Sequence, residues 1–232
     1  ISRIFNKNRK LLRYIDKFIA LTEFTKQEYI KADLPSDKII IKPNFLSKKQ
    51  IGKTKIDKKE GGVFASRISK EKGIITLLKA WDSIDLDLKI LGDGPLLNKL
   101  KFKNKKIRFF GGVSREFVRD EIRSAKFLIF PSEWYECMPM TILEAFREGT
   151  LVLASNIGSI KSIIKDNHNG ILFAPGEPND LSIKVKWILN NPEECKNIVN
   201  NAYNDFIEKY TEENNYKKLI GVYQDAINSK KS

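Results

Sequence analysis

Cysteine, histidine and methionine are scarce: the 232 residues hold two, one and two of them. Two cysteines exclude a disulfide scaffold and point toward a reducing compartment. Neither Cys137 nor Cys195 has a Cys or His partner at metal-ligand spacing. The single histidine, His168, lies in Asp166-Asn167-His168-Asn169-Gly170. That turn-like setting reads as surface rather than as a base or a ligand. No apolar run approaches the ~18 residues of a membrane-spanning helix. Residues 1–7, Ile1-Ser2-Arg3-Ile4-Phe5-Asn6-Lys7, have no apolar signal-peptide core. The first residue is not Met, which reads as an internal fragment or a processed chain. No repeat recurs at a fixed period.

A hydrophobic content of 41% is enough to fill a core. The 42 basic and 29 acidic residues leave a net charge of +13. That balance allows nucleic acid, anionic lipid or a phosphorylated ligand as partner. The lysines are spread along the chain, however, as a solvated surface would have them. No helix-turn-helix, zinc or RNA-binding signature accompanies the charge, so nucleic acid is disfavoured. The stripe Lys101, Lys103, Lys105, Lys106 and Arg108 is a solvated loop or a contact for anionic headgroups.

From residue 62 onward, short apolar runs alternate with helical spacing. Strands are expected at 62–66, 86–91, 107–110, 127–130, 151–154 and 171–173. The runs at 127–130 and 151–154 are continuously apolar, as strands buried on both faces are. Helices are expected at 73–84, 96–100, 115–124, 140–147, 160–164, 180–189, 193–209 and 211–227. Ser114 reads as an N-cap. Glu212 and Glu213 favour the positive end of the last helix. Trp81 and Trp187 fall on helices and read as core or interface residues. Earlier in the chain, strands at 18–21 and 38–41 flank a helix at 23–32, and a Lys-rich polar stretch at 47–59 resembles a linker. The fold class is therefore α/β: a Rossmann-like open parallel sheet with helices on both faces. Ligands of such sheets bind beyond the C-terminal ends of the strands.

Those ends carry the chemistry. Arg67 and Lys72, in Ser66-Arg67-Ile68-Ser69-Lys70-Glu71-Lys72-Gly73, can clamp a diphosphate, the guanidinium as a fork and the ammonium as a point charge. Taken alone, a solvated turn is the better reading of this pair. Glu136 and Glu144 stand on either side of a helix start, whose unpaired amides and dipole suit a phosphate. Glu144 can accept two ribose hydroxyls, and Glu136 can sit nearer the transferred group. Trp134 and Tyr135 are placed to line the cleft. No Gly-x-Gly-x-x-Gly follows the first main strand, which disfavours a dinucleotide-dependent oxidoreductase.

Taken in order, Ala65-Ser66-Arg67 through Lys72-Gly73, Gly92-Asp93-Gly94-Pro95, Phe109-Phe110-Gly111, and Pro131-Ser132-Glu133-Trp134-Tyr135-Glu136 running to Glu144-Ala145-Phe146 and Gly149 form an ordered set. The set resembles the donor-binding half of the retaining family 4 glycosyltransferases, which have the two-domain GT-B fold. The resemblance spans nearly all of residues 14–190. It implies catalytic roles for Arg67, Lys72 and Glu136. The first two would bind the diphosphate and steady the leaving group, and Glu136 would lie near the donor sugar. Glu144 would hold the ribose, and the backbone of Gly111, Gly112 and Val113 would border the nucleobase. Asn44, in Lys42-Pro43-Asn44-Phe45, resembles the family's Pro-Asn at the domain junction.

Ser66 stands where the family commonly has Gly, and Cys137-Met138-Pro139 where it often has Gly-Phe-Gly. Pro139 has no N–H and is expected at a first helical position. Phosphate contacts then fall to the amides of Met140, Thr141 and Ile142, with the Thr141 hydroxyl as a further donor.

The expected organisation is the end of an acceptor-side domain (1–46), a linker (47–60), a donor-binding domain (61–209) and a helix returning toward the first domain (210–232). The implied function is transfer of a sugar from a UDP- or GDP-linked donor to a glycan or glycolipid, with retention at the anomeric carbon. No cofactor and no metal are called for. The alternative is a nucleotide-sugar binding module without catalysis. The implied place is cytoplasmic, peripheral at the membrane face. Strand residues Phe18, Ile19, Leu21, Ile39, Ile40 and Ile41 would need a covering partner, so self-association is expected, and the chain alone should bind nucleotide but transfer sugar poorly.

Overall fold

A computed structural model describes residues 12, 14–48, 59–100 and 104–228. Most of the expected linker, together with Lys101 and Lys103, lies outside the described residues.

The main sheet has six strands, β3 (Gly62–Ala65), β4 (Leu88–Leu91), β5 (Ile107–Gly111), β6 (Phe127–Phe130), β7 (Leu151–Ser155) and β8 (Ile171–Phe173), in the order β5-β4-β3-β6-β7-β8. Every neighbouring pair is parallel. The central strands β3 and β6 are buried along their whole length, which is why their sequences are continuously apolar. The edge strand β5 exposes Arg108 and Phe110.

Helices α2 (Ile74–Trp81) and α6 (Pro178–Asn190) cover one face, burying Ile74, Leu77, Trp81, Leu181 and Val185 against Phe64, Ile90, Phe127 and Ile129. Helices α3 (Arg115–Ser124), α4 (Met140–Arg147) and α5 (Gly158–Ile163) cover the other, with Ile122, Ile142, Phe146 and Ile160 on Val63, Leu128 and Val152. The long α7 (Pro192–Lys209) reaches both clusters, through Ile198 and Val199 on one side and Ala202 and Phe206 on the other. Burying each large apolar side chain contributes about 1.5–3 kcal/mol. Trp81 is fully buried, and its indole N–H is satisfied by Leu86 O at 2.7 Å.

A smaller unit precedes this sheet. Strands β1 (Phe18–Ala20) and β2 (Ile39–Ile41) pair in parallel, joined through α1 (Glu23–Lys31), with Ala20, Leu34 and Ile39 at the core. Thr22 caps α1, its hydroxyl accepting from Thr25 N at 3.1 Å. The unit docks on the main sheet through Thr22 Oγ1 with Ser159 Oγ at 3.0 Å, and through Phe24 N–H donating to Ser162 Oγ at 3.2 Å. The segment after β2 is tied down as well: Leu46 N–H donates to Tyr210 O at 3.0 Å. The last helix, α8 (Glu212–Asn228), buries Asn215, whose amide donates to Pro43 O at 2.6 Å.

Three local readings are corrected. Residues 97–99 form a single 3-10 turn rather than an α-helix, and 70–72 form another before α2. Pro139 is the N-cap of α4 in extended conformation, one residue before the first helical position. A Pro there still fits, since a helix N-cap needs no helical φ/ψ and none of its own N–H.

Candidate functional site

The strand order reverses between β3 and β6, so the loops after these two strands lie side by side at the C-terminal edge of the sheet. Gly73 makes this approach possible. Its φ is 71°, and a Cβ there would stand 1.7 Å from Pro131 O. Glu133 N–H donates to Glu71 O at 2.9 Å, and the buried Ser132 hydroxyl donates to the same carbonyl at 3.2 Å.

Lys72 and Glu136 meet across this junction, Nζ to Oε1 at 2.6 Å, with side chains 24% and 17% exposed. Ser132 Oγ lies 2.8 Å from the same carboxylate oxygen, so its one proton is shared between Glu136 and the Glu71 carbonyl. The structure thus joins two residues 64 apart in sequence. Arg67 is exposed on the same loop. Glu71 lies between the two cations. Its carboxyl is held below the usual carboxylate range, chiefly by the Ser69 hydroxyl and its own backbone, then by the charges of Arg67 and Lys72.

Arg67 also lines a groove of about 260 Å³ with Gly92, Asp93, Gly112 and Val113. Gly111 has φ 68° and nothing within 4 Å of the place a Cβ would take, so backbone faces open space there. Ser114 caps α3 directly after it, its hydroxyl accepting from Phe117 N at 3.2 Å. Of the residues expected to meet the diphosphate and the nucleobase, Arg67, Gly112 and Val113 line this groove, while Lys72 and Gly111 are not among its walls.

Helix α4 starts beside Glu136, and no side chain caps it. Ile142 is fully buried and its N–H donates to Pro139 O at 3.3 Å. Of the three amides expected to meet a phosphate, that of Ile142 is occupied, so Met140 and Thr141 are the better placed. Glu144 lies on α4 itself, more than half buried. Burial pushes its carboxyl above the usual range, against the pull of Arg147 and Arg115. Arg115 opens α3, next to the Gly111–Val113 loop. The two glutamates thus have different neighbours: Glu136 pairs with Lys72, and Glu144 lies within electrostatic reach of Arg147 and Arg115.

Sequence reasoning missed Ser132, which holds both loops, and Phe24, whose ring tilts onto Tyr135 at 4.9 Å. A buried serine two residues past a strand and a helix from a separate sheet leave no pattern to read. The basic stripe is partly neutralised: Arg108 pairs with Asp87 at 2.7 Å and Lys106 with Asp85 at 3.2 Å. Among the described residues no helix is long and apolar enough to cross a membrane, and no three His, Cys, Asp or Glu side chains converge as a metal site.

A parallel sheet with cations and an uncapped helix N-terminus after its central strands has the layout in which open α/β sheets hold anionic ligands. The chain belongs to the family described as glycosyl transferases group 1, whose model matches residues 47–205. It is 32% identical over 175 residues to an uncharacterized glycosyltransferase of Methanocaldococcus jannaschii, MJ1607, covering 71% of this chain and 45% of that protein. It is 29% identical over 203 residues to a Campylobacter jejuni alpha-1,4-N-acetyl-D-galactosaminyltransferase acting on an undecaprenol-diphosphate-linked GalNAc acceptor, covering 82% of this chain and 55% of that protein. The chain thus spans about half the length of these curated relatives. Anabaena HepE, solved in complex with UDP and glucose, overlies 96% of this chain and 66% of its own at a TM-score of 0.83 and 16% identity. That likeness extends across both sheets and shows the fold, a Rossmann-like α/β architecture shared with GT-B glycosyltransferases.

Proposed function

We propose that the chain is the nucleotide-sugar-binding part of a retaining glycosyltransferase, and that the donor lies along the edge from the Gly111–Val113 loop to Glu136. One observation carries this reading: the strand reversal brings Lys72 and Glu136 together ahead of the uncapped start of α4, with Arg67 on the same loop as Lys72. Gly111, Gly112 and Val113 border the base, Glu144 accepts from the ribose, and Arg67 and Lys72 meet the diphosphate. The Met140 and Thr141 amides add to that cradle, and Glu136 faces the sugar.

In transfer, the bond between the sugar's anomeric carbon and the diphosphate oxygen breaks. The acceptor hydroxyl oxygen bonds to that carbon, and its proton leaves toward the departing diphosphate. The charge that develops on the diphosphate is then stabilised by Arg67, Lys72 and the α4 dipole, all preorganised. Retention and family 4 membership rest on the ordered motifs. A glycan or glycolipid acceptor follows from what the Campylobacter relative is named for acting on. Residues 1–46 and α8 are then the acceptor-side element and the helix that returns to it, in keeping with the Asn215–Pro43 bond.

A thermal-shift titration with UDP, GDP and ADP tests the reading. Stabilisation by at least one diphosphate, but not by the free nucleoside, is expected. Equal response to nucleoside and diphosphate would overturn it.

A further inference from the structure

A cavity of about 400 Å³ lies at the opposite edge of the main sheet from the Lys72–Glu136 junction. Its walls include Lys59, shortly before β3, Lys126, just before β6, and Leu151, the first residue of β7. These are the N-terminal ends of the strands, whereas the donor reading uses the C-terminal ends. Ile188 and Leu189 of α6 and Val199 of α7 close the other side. The volume falls in the range of about 300–1,000 Å³ that small-molecule sites occupy.

Lys59 decides the class of occupant. The residue is only 4% exposed. Its Nζ donates to Gly149 O at 2.6 Å and to Thr150 Oγ1 at 2.8 Å. Both partners are neutral, and an ammonium has a third proton to give. Glu148, whose charge reaches Lys59, is already held by Arg123 at 2.8 Å and by Arg147 at 3.0 Å. Among the described residues Lys59 therefore has no carboxylate bonded to it. Buried charges are normally paired, because desolvation penalises them. Burial pushes the pKa of this ammonium down to about 8, so it still holds its proton at about pH 7. Two more cations line the cavity. Lys126 is exposed and has no ion pair among the described residues, and Lys196 pairs with Glu193 at 2.9 Å. The rest of the wall is largely apolar, with Leu151, Ile188, Leu189 and Val199.

We propose that this cavity is a second binding site, for an anion carried on an apolar body: a phosphate monoester or carboxylate whose head meets Lys59 and Lys126 and whose hydrocarbon part lies on Leu151, Ile188 and Val199. A free metabolite and a lipid headgroup share this chemistry. The head supplies the counter-charge that Lys59 lacks, and the apolar wall keeps out the water that would screen the pair. The proposal stands apart from the donor reading and uses none of its residues.

The test follows the thiol of Cys195, which lines the cavity, against that of Cys137, exposed on the loop before α4. Burial pushes the Cys195 thiol up to about 11, so its alkylation is slow enough to follow. The 232-residue chain is treated with iodoacetamide, and the two thiols are read separately by peptide mass spectrometry. Hexyl phosphate and hexanoate are the soluble probes, inorganic phosphate and hexanol the controls, and vesicles of phosphatidic acid in phosphatidylcholine the lipid probe. At least one anionic amphiphile is expected to slow alkylation of Cys195 saturably and to leave that of Cys137 unchanged. Its affinity, measured by calorimetry, should fall about tenfold in Lys59→Met, as loss of a charged hydrogen bond implies. It should fall as well in Leu189→Trp, where the added ring fills the cavity from a residue 41% exposed and so tolerant of change. Protection by a soluble probe marks a free metabolite as the source, protection by the vesicles alone marks a lipid headgroup, and either upholds the proposal. Equal protection by hexanol or by inorganic phosphate would overturn it. So would equal slowing of both thiols, no protection by any probe, or unaltered affinity in either variant.

Discussion

The Lys72–Glu136 pair sets the behaviour of the site before any ligand arrives. Its partly buried geometry means that a diphosphate competes with Glu136 for the ammonium. Lys72→Ala is therefore expected to weaken nucleotide diphosphate binding by about 1–3 kcal/mol, the scale of a charged hydrogen bond. Glu136→Ala should leave free nucleotide affinity unchanged or raise it, while weakening the nucleotide sugar relative to the nucleotide. Parallel titrations of both variants with UDP and UDP-glucose check this. Equal losses for both ligands in Glu136→Ala would contradict it. Glu144 behaves differently, because burial raises its pKa in the folded chain. The sign follows from linkage: the folded state favours the protonated acid, so the group penalises folding once pH rises through its folded pKa. Glu144→Gln should thus stabilise the chain at about pH 7, with little effect at about pH 4. The same change should weaken nucleotide binding, because the carboxylate that accepts from ribose is gone. Melting temperatures at the two pH values, set beside nucleotide affinities, measure both effects.

At the scale of elements, the contact between the β3 and β6 loops holds the site together, and Gly73 permits it. Gly73→Ala places a Cβ against the Pro131 carbonyl at a positive φ. A loss of about 3 kcal/mol or more is expected in urea unfolding, as at other positions of forced strain. The strands and most helices were legible because their signals are local: continuous apolar runs for β6 and β7, a Ser cap for α3, and Gly149 after α4. Arg67, Lys72, Glu136 and Glu144 were legible as members of an ordered motif set. That Lys72 binds Glu136 was not, because the pairing follows from strand order and not from spacing. Ile142 was expected to offer a free amide; its N–H instead bonds back to Pro139, since Pro139 became the cap. The 96–100 segment failed as an α-helix because Gly94 and Pro95 lead into only one short turn, with Gly94 pressed against Ile68 O.

At the scale of the whole molecule, the small unit meets the main one, among the described residues, through the Thr22–Ser159 and Phe24–Ser162 hydrogen bonds, the Phe24–Tyr135 ring pair and Leu21 packed on the main core. The chain spans about half the length of relatives such as MJ1607. On this account the 232 residues bind nucleotide without efficient sugar transfer. Purified chain incubated with UDP- or GDP-sugars and a panel of lipid and glycan acceptors should show little turnover, and rapid turnover without an added partner would contradict this. The strand residues expected to need a cover are only partly met by the small unit itself: Ile39 is buried, while Ile19 remains 39% exposed. Self-association through this patch is accordingly proposed, and sedimentation at rising concentration reads it.

The central claim is that a nucleotide diphosphate binds where the strand order reverses, on Arg67 and Lys72. Calorimetric titration of the chain and of Arg67→Ala with UDP and GDP tests it most directly. The account predicts saturable binding of at least one of them, weakened by about 1–3 kcal/mol in Arg67→Ala. Binding of equal strength in the two proteins, or no binding of either nucleotide to the unaltered chain, would contradict it.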